Sequence, residues 1–143
     1  MNRLALLLVL ALPFVGCDSN GPTIRSCEND SLVVETEDLV VGTSPARADA
    51  TDLVRLSYVG RLENGTEFDS DTNITVQLQA FDVVGFREGV AGMRIGGTRR
   101  ITVPPYKGYR TLRVTQRVDE EEVELIPPCS VLVFEVELID ILS

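Results

Sequence analysis

Beyond residue 50, apolar side chains recur with a period of two along nearly every hydrophobic stretch. Val54, Leu56, Tyr58 and Leu62 share one face of residues 52–62, while Arg55, Ser57 and Arg61 occupy the other. Ile74, Val76, Leu78 and Ala80 alternate with Thr75, Gln77 and Gln79. Residues 99–103 alternate again, and Leu132, Phe134, Val136 and Leu138 are separated by Glu135 and Glu137 among others. This period belongs to strands, and its polar second face belongs to antiparallel sheets with one side in water. One stretch departs from it: Phe86, Val90 and Met93 fall at i, i+4 and i+7, the apolar face of a short helix. A one-sided sheet must bury its apolar face, and that helix is the only cover available. The pattern predicts an α+β fold, a twisted antiparallel sheet of about five to six strands wrapped on one short helix.

The connections follow from turn chemistry. Asn64-Gly65 is a tight hairpin signal, returning through Thr66 to Ser70, and Asp71-Thr72-Asn73 reads as a loop or bulge. Gly85 stands where a helix cap is expected, and Gly96-Gly97 marks a turn. Pro104-Pro105 cannot donate to a ladder, so the strand before it must stop there. Leu32 to Glu35 and Leu39 to Gly42 are two short strand candidates, followed by a loop from Thr43 to Thr51. Leu112 to Leu125 reads as a protruding hairpin whose turn is the acidic run Asp119 to Glu122, within an insertion at 110–125.

The N-terminus reads as an address. Arg3 precedes an apolar run from Leu4 to Val15, shorter than the roughly 20 residues a membrane-spanning helix needs. A basic start, a short apolar run and a small residue at Gly16 suit a secretory signal over residues 1–16. Phe14-Val15-Gly16-Cys17 resembles a bacterial lipobox, which makes Cys17 a candidate lipidation site and the lipid the only membrane attachment. Cys17 as a bystander beside an ordinary signal is the other reading. Residues 17–30 form a polar tether, and 31–143 form one domain. The expected location is extracytoplasmic, on the periplasmic side of a bacterial membrane or at the cell surface.

The formal charge is −9. Such a surface disfavours nucleic acid, whose phosphates need Lys and Arg to displace counterions. The chain has no histidine and no metal-ligand spacing, and nothing in it calls for a cofactor. An export signal places Cys27 and Cys129 where a disulfide is permitted, and they read equally as a bridge or as two free thiols.

Four blocks in order, Val54 to Ser70, Val83 to Val103, Pro104 to Tyr109 (P-P-Y-K-G-Y) and Ile126 to Ile141, resemble the FKBP-type peptidyl-prolyl cis-trans isomerases. The resemblance implies an apolar pocket between sheet and helix that takes a proline ring and the carbonyl before it. Carried over by position, Tyr58, Asp69 and Tyr109 are the catalytic candidates. Phe68, Ile74, Val76, Val83, Phe86, Leu125, Ile126 and Phe134 are the substrate-binding candidates, with Phe86 as the floor where many members have Trp. The resemblance also implies proline-containing protein clients, and rapamycin and tacrolimus as ligands. Three departures stand out. The loop after Asp69 is short, Tyr109 is followed by Arg110 rather than the usual Gly, and the segment from Tyr109 to Ile126 is long. The last of these motivates an alternative, a non-catalytic client-binding module or chaperone.

Overall fold

The computed structural model describes Cys27 and residues 33–142. The signal segment, Cys17, Leu32 and the tether apart from Cys27 lie outside the described residues. The elements in chain order are β1 (Glu35–Val40), β2 (Leu53–Leu62), β3 (Glu67–Gln77), α1 (Val84–Val90), β4 (Thr98–Val103), β5 (Val114–Val118), β6 (Glu121–Ile126) and β7 (Leu132–Ile141). Five strands form one antiparallel sheet in the order β1-β4-β7-β2-β3, while β5 and β6 pair only with each other. The fold class read from the alternation is the one observed.

The core lies between the sheet and α1. Val54, Leu56 and Tyr58 of β2, Ile101 and Val103 of β4, and Leu132, Phe134, Val136 and Leu138 of β7 are all buried, together with Phe86, Val90 and Met93. Alternation therefore sorted the strand faces correctly wherever a strand has a neighbour on both sides. It failed at the margins. The two short strands expected near residues 32–42 are one strand, β1, exposed at every position and broken by an irregularity between Asp38 and Val40. As the sheet's edge it buries no face, so no apolar period marks it.

The second failure lies after β3. Leu78 to Ala80 do not continue the strand but form a turn of 3₁₀-helix, in which Leu78 is buried and Ala80 exposed. Asn73, with φ 54°, lies at the irregularity where β3 shifts register against β2, so the Asp71–Asn73 segment is a bulge inside one long strand. The acidic turn is also tighter than expected. Only Asp119 and Glu120 take left-handed conformations, and Glu121 and Glu122 already belong to β6.

Gly85 does not cap the helix. Val83 is the N-cap, and Gly85 is buried inside α1. Its role is contact: a Cβ there would stand 2.4 Å from a Val103 methyl, and one at Gly89 would stand 2.3 Å from an Ile101 methyl. Two glycines four apart thus form a bare stripe that lets the helix backbone lie directly on β4. Each glycine costs helix propensity of up to about 1 kcal/mol relative to Ala, which the close packing must outweigh.

Cys27 and Cys129 are joined in a disulfide that spans 102 residues, with Cα atoms 5.2 Å apart. It ties the segment preceding the domain to the foot of the β5–β6 hairpin, where the Cys129 N–H also donates to the Arg110 carbonyl at 2.7 Å. In the chain-entropy model a cross-link closing a loop of this size contributes about 4–5 kcal/mol, against about 2–4 kcal/mol for a typical disulfide.

The helix-to-strand contact gives a direct test. Gly89→Ala should lower stability by about 1–3 kcal/mol through overpacking against Ile101, despite the better helix propensity of Ala. A denaturant midpoint equal to or above that of the parent would show that β4 yields to the extra methyl.

Candidate active site

The register of β2 between β3 and β7 decides where the aromatic rings meet. Gly60 pairs with Asp69 on one side and Phe134 on the other. A Cβ on Gly60 would stand 2.8 Å from the Phe68 ring and 3.0 Å from the Phe134 ring, so the missing side chain leaves space for both. Phe68 then packs edge-on against Phe134, centroids 5.7 Å apart. Around the corner, the 3₁₀ turn after β3 brings Phe81 and Asp82 to the same place, and Val83 follows as the helix N-cap.

These residues surround an open cavity of about 270 Å³. Of the residues expected from the sequence, Tyr58, Phe68, Asp69, Val76, Val83, Tyr109 and Phe134 line it. Four do not. Phe86 lies beneath the cavity, fully buried and wrapped by the rings of Phe81, Phe134 and Tyr58. Ile126 is buried at the foot of the hairpin, paired with Val114, and is spent on the core. Leu125 and Ile74 are half-buried and pack against that core without reaching the cavity. Ala80, Phe81 and Asp82 also line it and were missed. The signal for them was the phase change at Leu78, which simple alternation carries through.

Tyr58 is buried and its hydroxyl donates a 2.6 Å hydrogen bond to Asp69 Oδ2. Burial raises the Tyr58 phenol well above its ordinary value, and the Asp69 carboxylate adds to the effect. The phenol therefore stays a donor, holding the carboxylate at the edge of an apolar chamber. Two further residues of the lining, Val83 and Tyr109, carry polar groups. The Val83 N–H and the Tyr109 hydroxyl make no hydrogen bond among the described residues. Tyr109 is placed by the 3₁₀ turn at Pro105–Lys107 that follows the Pro104-Pro105 break. Arg110 takes φ 55°, a region that favours Gly, and its guanidinium lies 4.2 Å over the Tyr106 ring, so it is directed to Tyr106 rather than into the cavity. Half-burial raises the Tyr109 phenol, with Asp82 and then Asp69 raising it further.

Comparison with known proteins now has a site to refer to. The family model for "FKBP-type peptidyl-prolyl cis-trans isomerase" matches residues 44–139. The chain belongs to this family. An FK506-binding protein of Neisseria meningitidis serogroup A is 34% identical over 116 residues, covering 78% of this chain and 96% of that one. FK506-binding protein 4 of Aspergillus fumigatus is 36% identical over 112 residues, covering 76% of this chain but 21% of its own length. The chain thus spans about a fifth of that much longer fungal relative. Among solved structures, a peptidyl-prolyl cis-trans isomerase from Pseudomonas syringae superposes with a TM-score of 0.64 at 28% identity, covering 85% of this chain and 83% of that one. FkpA from Escherichia coli gives 0.61 at 29%, covering 76% and 47%.

The matched region contains every residue that lines the cavity, while β1 lies before it. The phenols provide a test of the electrostatics here. Both folded pKa values lie above the ordinary 10.0, so the unfolded chain loses these protons first as pH rises. The contribution of these two phenols is fully present below about pH 10 and is lost progressively above it. Absorbance titration should show two tyrosines ionising late, and Asp82→Asn should move only Tyr109 toward the ordinary value. An unchanged Tyr109 curve would remove Asp82 from its surroundings.

Proposed function

We propose that this chain catalyses cis–trans isomerisation of Xaa-Pro peptide bonds, assisting the folding of exported proteins. The observation that carries the reading is the Tyr58–Asp69 hydrogen bond at the edge of an aromatic cavity, with Val83 and Tyr109 lining the same space. A peptide bond resists rotation by about 18–20 kcal/mol because of its partial double-bond character. Midway through rotation that resonance is lost and the carbonyl becomes less polar. A chamber walled by Phe68, Phe81, Val76 and Phe134 excludes water, and so favours the twisted form over the planar one. In this scheme the Val83 N–H and the Tyr109 hydroxyl orient the flanking carbonyls, and Asp69, held by Tyr58, faces the carbonyl that turns. No nucleophile and no proton transfer are required.

The reading extends to the location. The lipobox-like Phe14 to Cys17 segment supports export and a diacylglycerol anchor on Cys17, and the Cys27–Cys129 bridge suits an oxidising compartment. Rapamycin and tacrolimus are proposed ligands of the same cavity, in keeping with relatives named as FK506-binding proteins.

A protease-coupled assay on Xaa-Pro peptides tests the activity. Asp69→Val should lower kcat/KM at least about 10-fold, or about 1.4 kcal/mol of transition-state stabilisation, with the fold kept. Full activity in that variant would remove Asp69 from the mechanism. A second reading, client binding without catalysis, rests on the β5–β6 hairpin, which exposes Leu112, Val118 and Val123. Client capture that persists with tacrolimus bound, and disappears when residues 112–124 become a short loop, would favour it.

A further inference from the structure

We propose that the cleft at the C-terminal end of α1 is an anion site, in which Arg47 and Arg94 hold a doubly charged oxyanion of the phosphate-monoester class. The site is independent of the isomerase reading, because the cleft shares no lining residue with the aromatic cavity. It is formed where the loop at 43–51 meets the turn that follows α1. The Ala48 N–H donates to the Met93 carbonyl at 2.8 Å, and the Gly92 N–H to the Ala48 carbonyl at 2.8 Å. Beside these bonds Arg47 and Arg94 face each other across an isolated antiparallel bridge.

That pairing is unfavourable as it stands. Residues directly opposite in an antiparallel pair share a face, and like charges there are destabilising. The chain has 22 acidic residues against 13 basic ones, so carboxylates are not scarce. Arg55, Arg61, Arg99, Arg100 and Arg113 each meet one. Among the described residues Arg47 and Arg94 make no such ion pair, although both line the same cleft. Each instead donates one hydrogen bond through Nη1, Arg47 to the Gly92 carbonyl and Arg94 to the Ser44 carbonyl, both at 3.0 Å. Those bonds fix the two guanidiniums and leave their other N–H groups for a ligand.

The third arginine of the cleft is already neutralised. Arg99 donates to Asp38 through Nε and to the Gly89 and Ala91 carbonyls through Nη1. The Arg99 hydrogen bond holds the Asp38 carboxyl below its ordinary value, and the charge of Arg47 acts in the same direction. Three guanidiniums against this one carboxylate leave a surplus of two positive charges in the lining. A phosphate monoester carries about −1.5 to −2 at neutral pH, and its oxygens match the fork of a guanidinium. The cavity measures about 260 Å³. That lies below the roughly 300–1,000 Å³ of sites for drug-sized ligands, so the occupant is small. Val40 and Met93 complete the lining with apolar surface for the carbon on the ester oxygen.

The test is NMR and thermal unfolding of the purified protein with glycerol 3-phosphate, the ionic strength being held constant with chloride. The ligand should shift the Nε–H resonances of Arg47 and Arg94 and raise the unfolding midpoint, because it binds the folded state alone. Arg47→Gln should weaken binding about 10-fold, the worth of one charge-assisted hydrogen bond. Arg94→Lys keeps the charge without the fork, and should weaken binding less than Arg94→Gln does. Vesicles of phosphatidylcholine with phosphatidic acid separate the two sources of this chemistry. Vesicle binding that is lost in Arg47→Gln, with no response to glycerol 3-phosphate, assigns the site to a lipid headgroup. Arginines that only cap the helix would give variants whose midpoints fall equally with and without ligand, and that result overturns the proposal. So does the absence of binding to both probes, or binding that shifts other surface cations such as Arg117 and leaves Arg47 and Arg94 unmoved.

Discussion

The backbone of α1 lies on β4 with no side chain between them at Gly85 and Gly89, and the rest of the molecule depends on that approach. It brings the helix close enough for Phe86 to reach across to Phe134 of β7 and Tyr58 of β2. A helix of 7 residues cannot sustain itself in water, since isolated helices shorter than about 12–15 residues are marginal. Its stability comes from this packing, and the sheet in turn has no other cover for its apolar face among the described residues. Helix and sheet are therefore one cooperative unit, and the site sits where they part at the N-terminal end of the helix.

The same arrangement explains how an apolar chamber carries a few oriented polar groups. Val83 is the helix N-cap and lines the cavity, and its N–H is not used by the helix. Asp69 stands on an exposed strand and would otherwise be mobile, but the buried Tyr58 hydroxyl fixes one of its oxygens. Gly60 contributes by omission, leaving room for two rings at the same level of the sheet. The β5–β6 hairpin stands outside this unit. It is attached by Val114, Leu125 and Ile126 at its foot and by the disulfide at Cys129, so its tip is free to differ without disturbing the cavity.

Most of the sheet was legible in the sequence because β2, β4 and β7 each have neighbours on both sides and one buried face, which imprints a period of two on Val54 to Tyr58 and Leu132 to Leu138. The helix showed itself through Phe86, Val90 and Met93. The edge strand β1 buries nothing and left no such imprint. The 3₁₀ turn at Leu78–Ala80 was hidden because Ile74, Val76, Leu78 and Ala80 keep a strand-like pattern through it, although the chain has already turned. The assignment of Phe86 as pocket floor came from the resemblance, by its position in the second matching block, which records place in the chain and not what lies above the ring.

The sequence by itself determined the fold class, the break at Pro104-Pro105 and most of the residues that meet at the cavity. The fold class follows from the period of burial and the break from the lack of a backbone donor, while the cavity residues came from the resemblance of four blocks to the family. Only the tertiary structure decided that Phe81 covers Phe86, that Leu125, Ile126 and Ile74 serve the core, and that Cys27 reaches Cys129. Those are matters of depth and distance between elements far apart in the chain, and one-dimensional periodicity carries a residue's face but not what is stacked upon it.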